Sequence, residues 1–243
     1  MWISRVGVDM AADIVVCKHG EDLGKCNRCS LTYPPQMISW LSYKRFKQEC
    51  GTYHVTSVVS CLRRAFYKFT RPMLHTLGSV WIMQRGRMLH SITYAFGWRE
   101  LPVCMPIDCD GEMIRLVGHV DAYDPDLGVI YDFKTTSFLE WQLKNRKLPH
   151  PNHVSQIRAY DALMSRYGLP VNRLELWYVD DRTPPTRVKV DRRDISEWLM
   201  KRTLILHGSI TSSAEPVREP SYLCKFCSFF GICGPTGFDG LSD

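Results

Sequence analysis

Ten cysteines punctuate the 243-residue sequence, and they are unevenly spread. Cys17, Cys26, Cys29 and Cys50 fall in the first fifty residues, Cys61 opens the next segment, Cys104 and Cys109 stand mid-chain, and Cys224, Cys227 and Cys233 crowd the end. So many thiols in a chain of this size point to disulfides, zinc or iron–sulfur chemistry. Disulfides need export. The opening MWISRVGVDMAADIVV has no basic run ahead of an apolar one, and Asp9 and Asp13 interrupt the stretch a signal peptide would need. No apolar run reaches the length that spans a bilayer. A reducing cytoplasm and metal-bound cysteines are therefore expected.

The middle of the chain carries the periodic structure. At 45% hydrophobic and 23% charged residues the whole sequence can bury a sizeable core. TSVVSCLRRAFYKF, from Thr56, reads as a helix with Val58, Leu62, Ala65, Phe66 and Phe69 on one side. A second helix is expected over Ser79 to Phe96, weakened at Gly86. LPVCMPI, EMIRLVGHVDAY and VIYDFKTT, separated by Asp110-Gly111 and DPDLG, predict an antiparallel meander. HVSQIRAYDALMSRYG is a helix ended by Gly168, RLELWYVD and RVKVD are strands, and ISEWLMKRTLILHGSI is a last helix before the cysteine-rich tail. The order helix, three strands, helix, strand is an α/β arrangement.

The second and third strands of the meander hold a carboxylate, carboxylate, lysine set. Gly118-His119-Val120-Asp121 ends one, and Tyr131-Asp132-Phe133-Lys134 begins the other. Alternation turns Asp132 and Lys134 to one face, and strand pairing brings Asp121 near it. Converging carboxylates suit a hard divalent cation, and a lysine beside it could orient or deprotonate a water. Solvated carboxylates and a charge-paired lysine are the bland reading, but an Asp and a Lys amid Val129, Ile130, Tyr131 and Phe133 are costly unless used or paired.

His90, Gly-x-x-Asp at Asp121, Asp-x-Lys at Asp132 and Lys134, and Gln156-x3-Tyr160, in that order, resemble the RecB-like branch of the PD-(D/E)XK nucleases. The resemblance implies a restriction-endonuclease-like core in which His90, Asp121, Asp132 and the Phe133 carbonyl hold magnesium or manganese. It makes Lys134 the catalytic lysine, with Gln156 and Tyr160 orienting DNA or the active site. His119, two before Asp121, competes with His90 as the ligand.

At the tail, Cys224-x2-Cys227-x5-Cys233 cannot close a tetrahedral site alone. Cys61 is the favoured fourth ligand and Cys50 its rival; spacing does not separate zinc from a 4Fe-4S cluster. One cysteine before the core and three after it is similar to the iron–sulfur nucleases of the RecB-like branch. Cys61-x2-Arg64-x2-Tyr67 is similar to the CRISPR-associated group. The resemblance implies a 4Fe-4S clasp tying the ends of the core together. Cys17-x-His19-x6-Cys26-x2-Cys29 could hold zinc or be a set of incidental thiols. The expected organisation is a cysteine-rich extension over 1–50, a nuclease core over 51–215 and a cluster segment over 216–243.

A formal charge of +6 suits a polyanion. Basic groups occur at Arg63, Arg64, Lys68 and Arg71, at Arg85 and Arg87, at Lys144, Arg146 and Lys147, and from Arg182 to Arg202. Trp141, Tyr123 and Trp98 could stack unpaired bases or belong to the core. The family resemblance implies an exonuclease on single-stranded DNA ends, 5′ to 3′, which could also cut internally. In CRISPR adaptation it would process prespacer ends beside the integrase; the same fold could instead serve viral or cellular recombination and repair. A catalytically silent DNA-binding subunit and a zinc-dependent regulator are the competing readings.

Overall fold

Ile114, Leu116, Gly118 and Val120 fall on every second position, and their segment is the longest strand, β5 (Glu112–Asp124). The structure is a computed structural model that describes residues 14–42, 49–89, 93 and 95–234. One edge of β5 pairs antiparallel with β4 (Trp98–Cys109). The other edge is shared. β2 (Thr52–His54) runs parallel beside Arg115–Val117, and β6 (Val129–Thr135) runs antiparallel beside Ala122–Asp124. β7 (Arg173–Val179) continues the sheet parallel to β6, and β8 (Thr186–Val190) closes it antiparallel to β7. The expected meander is thus present inside a six-stranded mixed sheet.

Helices cover both faces. α3 (Val55–Val58), α4 (Leu62–Thr70), α7 (Pro151–Ser165) and α8 (Ser196–Thr211) enclose the larger core with Met105, Leu116, Val120, Ile130 and Leu176 of the strands. α5 (Leu77–Leu89) packs on the opposite face, where Leu89 and Phe96 join Ala122, Tyr131, Phe133 and Trp177. Gly86 sits within α5 without breaking it; the part of the expected helix at 90–92 and 94 lies outside the described residues. Before the core, β1 (Ile14–Val16) pairs in parallel with β3 (Leu74–Thr76), with α1 (Asn27–Ser30) and α2 (Pro35–Leu41) between them in sequence. α6 (Leu139–Lys144) follows β6. No helix among the described residues is long and apolar enough to cross a membrane.

The single helix expected from Thr56 is two, α3 and α4, parted at Val59–Cys61 with Cys61 as the N-cap of α4. Long-range partners take over the backbone groups freed by the break. Arg202 of α8 donates from Nε to the Val58 carbonyl at 2.7 Å and from a terminal nitrogen to that of Ser60 at 2.5 Å. The Leu62 N–H donates to Glu219 Oε2 at 2.9 Å, and Glu219 forms a two-pronged ion pair with Arg202. Periodicity cannot reveal this, because the competing partners lie about 140 to 160 residues away in sequence.

The same strut docks the tail. Arg63 Nε donates to the Pro216 carbonyl at 2.8 Å, and buried Phe229 lies 5.4 Å from the Tyr67 ring. A 3-10 turn (Tyr222–Phe226) and α9 (Phe230–Cys233) carry the three tail cysteines against α4. Arg202→Met would leave two carbonyls and a carboxylate without their partner. It should lower stability by about 2–3 kcal/mol, at roughly 1 kcal/mol per lost hydrogen bond. Urea unfolding should show an earlier midpoint, and an unchanged midpoint would mean the strut contributes nothing.

Candidate functional site

The ladder between β5 and β6 contains three pairs, the last being Ala122 with Tyr131. Asp121 and Asp132 are the next residue on each strand, so they face each other where the strands part. Asp121 Oδ2 accepts the Phe133 N–H at 2.8 Å, giving the opened β6 backbone a partner. Val120 belongs to the larger core, whereas Ala122 belongs to the one beneath α5. Residues two apart on a regular strand would share a face, so alternation slips here. Opposite the slip, Glu100 has φ +46°, a left-handed conformation that marks the same irregularity on β4.

The slip separates His119 from Asp121. His119 is exposed, and its charge acts on His54, whose imidazole burial first, then His119 and Lys68, hold below its usual range. His119 is thus exposed where Asp121 is buried. His90 lies outside the described residues; α5 ends at Leu89, the residue before it.

Asp132 is fully buried and Asp121 is 6% exposed. The Lys134 ammonium lies 2.7 Å from Asp132 Oδ2, while Gln156 Nε2 donates to Asp132 Oδ1 at 3.2 Å. Both oxygens are therefore engaged, as a buried carboxylate requires. Gln156 also donates to the Tyr160 hydroxyl at 2.9 Å, one turn along α7. Burial, then the charges of Asp132 and Asp121, push the Tyr160 phenol well up, so it stays protonated. Gly118 explains itself against this ring. A Cβ there would lie 2.8 Å from Tyr160 Cε1 and 3.2 Å from Val55 Cγ2, so a bare backbone lets Tyr160 pack beneath the two carboxylates.

One titratable neighbour was missed in the sequence. His153, one turn before Gln156, lies 3.0 Å from the Tyr178 hydroxyl, and Tyr178 is the register partner of Lys134. A histidine three residues ahead of Gln156 on a helix was the signal that could have found it. Burial, reinforced by the charges of Lys134 and His150, pushes its imidazole down to about 3.

Of the expected stacking residues, Tyr123 is core: fully buried, it donates its hydroxyl to the Pro170 carbonyl at 2.7 Å. Trp98 is half exposed and packs edgewise on Tyr123. Trp141 is 57% exposed on α6, and the helix begins at Phe138, which is 66% exposed and left-handed at φ +59°. Several of the basic residues form ion pairs within the fold: Arg63 with Glu215, Arg192 with Asp161, and Arg202 with Glu219.

Cys17, His19, Cys26 and Cys29 converge. Among the described residues they are the group of His, Cys, Asp and Glu whose donor atoms all lie within 4.8 Å of one another, and they could hold a metal ion. Burial resists ionisation of Cys17, but the N–H groups of His19 and Glu21 and the thiols of Cys29 and Cys26 bring it down to about 6. Cys29 is pushed up to about 12 by burial and by Cys17 and Cys26. Crowded thiols cannot all ionise without a cation among them. Cys61 is half-buried at the N-cap of α4, and Cys224, Cys227 and Cys233 are half-buried in the tail. Cys50 is exposed, with Sγ 3.8 Å from the Tyr53 hydroxyl. Cys104 and Cys109 lie half-buried on β4.

Residues 54–234 match the PD-(D/E)XK nuclease superfamily. No curated protein matches the chain. Among solved structures, SSO0001 is similar with a TM-score of 0.56 and 18% identity, over 78% of this chain and 88% of that one. An alkaline exonuclease from Laribacter hongkongensis gives a TM-score of 0.45 and 14% identity, over 68% and 91% of the two chains. The same enzyme in complex with dAMP gives 0.43 and 15% over the same shares.

His153 generates a pH prediction with a definite sign. Its folded pKa lies below the ordinary 6.5, so the unfolded chain binds the proton first and stability falls as pH drops from about 6.5 toward about 3. The stability of His153→Gln relative to the parent should therefore rise between pH 7 and pH 4. A pH-independent difference between the two would refute the assignment.

Proposed function

The chain belongs to the PD-(D/E)XK nuclease superfamily, and we propose that it is a metal-dependent DNA nuclease acting on single-stranded ends. The observation that carries the proposal is the pair of carboxylates facing across the parted strands, with Lys134 against one of them. Oxygen donors of this kind fit magnesium or manganese. Asp121, Asp132, the Phe133 carbonyl and His90 would hold the ion, which when bound neutralises phosphate charge and acidifies water. Lys134 orients the attacking water and helps remove its proton. Gln156 fixes Asp132 through its second oxygen, and the protonated Tyr160 supports Gln156. Phe138 and Trp141, exposed just after the Lys134 strand, would stack unpaired bases, which supports single-stranded over duplex substrate.

The tail cysteines with Cys61 would hold a 4Fe-4S cluster. Two observations support this: soft donors, and the docking of the tail on α4. In a four-iron cluster each thiolate binds a different iron, so the ligands stand farther apart than around zinc. The cluster would be a clasp joining residues 51–215 to 216–243. Exonuclease action, 5′ to 3′ with internal cutting, and prespacer processing beside a CRISPR integrase extend the reading, on the strength of Cys61-x2-Arg64-x2-Tyr67 and the motif order. A recombination or repair role is the alternative context.

Labelled single-stranded DNA with manganese should be degraded by the protein. Lys134→Met should be slower on the order of 10²- to 10⁴-fold, as for loss of a proton-transfer group, and Asp132→Ala should fall to background. Equal activity in Asp132→Ala and the parent would remove the mechanism and favour a catalytically silent DNA-binding subunit. Anaerobic purification should yield brown protein with iron and sulfide, lost in Cys61→Ser but kept in Cys50→Ser. Colourless protein with zinc alone would end the cluster assignment.

A further inference from the structure

Residues 14–41 build a small core of their own. Its buried members are Val15, Cys17, Leu23, Cys26, Cys29 and Leu41, joined by Val80 of α5. Three of these seven are thiols, which leaves four buried aliphatic side chains in a core this small. The local backbone aims the thiols at one point. Gly20 turns the chain at φ +81°, with its N–H bonded to the Cys17 carbonyl, and this brings His19 back over Cys17. Cys26 starts the single turn of α1, its carbonyl accepting the N–H groups of Cys29 and Ser30, so Cys26 and Cys29 face the same way.

His19 Nδ1 stands 3.7, 3.4 and 3.6 Å from the Sγ atoms of Cys17, Cys26 and Cys29. Zinc–sulfur bonds of about 2.3 Å and zinc–nitrogen bonds of about 2.0–2.1 Å at tetrahedral angles put sulfur and nitrogen about 3.6 Å apart. The three edges of the cluster match that figure. Incidental thiols have no reason to surround one imidazole nitrogen at this spacing.

The segment is also attached to the nuclease core in a particular place. β1 pairs with β3, and β3 runs directly into α5 at Leu77. Leu77, Val80 and Met83 of α5 pack into the small core, and buried Gln84 donates to the Trp40 carbonyl at 2.7 Å. The opposite side of α5 lies on β6, the strand of Asp132 and Lys134.

We propose that Cys17, His19 through Nδ1, Cys26 and Cys29 hold one structural zinc ion, and that this ion fixes residues 14–41 as a brace on α5, the helix that leads into His90. The full-length protein should contain one zinc per chain that survives dialysis against EDTA. Cys26→Ser/Cys29→Ser should lose it, and the amides of 77–89 should exchange faster with deuterium. His19→Cys, which keeps four ligands, should retain zinc and the protection of 77–89, and after cobalt exchange its visible bands should shift toward those of a four-thiolate site. Cys224→Ser should leave the zinc in place. Zinc absent from the parent, zinc retained in the double variant, or unchanged exchange across 77–89 when zinc is lost would overturn the proposal.

Discussion

The parting of β5 and β6 after Ala122 and Tyr131 is the constraint on which the candidate site depends. Side chains on a continuous antiparallel ladder are held at fixed spacing, with every N–H occupied and no room between the strands for a third party. Ending the ladder creates room but leaves backbone groups to be satisfied. Asp121 answers one of them by accepting the Phe133 N–H, and the slip in alternation at Val120–Asp121 turns it there. β7 holds β6 straight beyond the fork, since its parallel ladder runs from Val129 to Thr135 without interruption. Asp132 and Lys134 are thus carried on a strand anchored along one edge and open along the other.

Around that fork, polar groups are linked in a chain. Asp132 is buried and doubly partnered, Gln156 links it to Tyr160, and Tyr160 packs where Gly118 leaves space. Each of these depends on the next: a side chain at Gly118 would move Tyr160, Tyr160 holds the Gln156 amide, and the amide fixes Asp132. The Arg202–Glu219 strut does similar work at a distance. By taking the carbonyls of Val58 and Ser60 it stabilises a helix break that leaves Cys61 at the N-cap of α4.

Much of this was legible in the sequence, and the failures share a cause. The meander, the helix of Gln156 and Tyr160 and the last helix followed from periodicity, because one face of each contacts a continuous core. Asp-x-Lys was readable because a charged pair inside Val129–Phe133 breaks the hydrophobic pattern. Periodicity misses what distant residues impose. The split at Val59–Cys61 needs Arg202, and buried Tyr123 needs Pro170. The ion pairs of Arg63, Arg192 and Arg202 are equally hidden from the sequence, since their carboxylate partners are remote or come from another element. Charge can be counted along a chain, but its pairing is decided by the fold.

The proposed donor sets also differ in the ions they suit. The carboxylates of the fork are hard donors fixed by the sheet, and a thiophilic ion gains little there. The sulfur sites lie outside the sheet, one on the outer side of α5 and one where the tail meets α4, and soft donors leave magnesium no reason to enter them. The N-terminal group closes to single-ion spacing around one imidazole nitrogen. The backbone itself sets that spacing, through the Gly20 turn that returns His19 over Cys17 and the Cys26 carbonyl that accepts the Cys29 and Ser30 N–H groups.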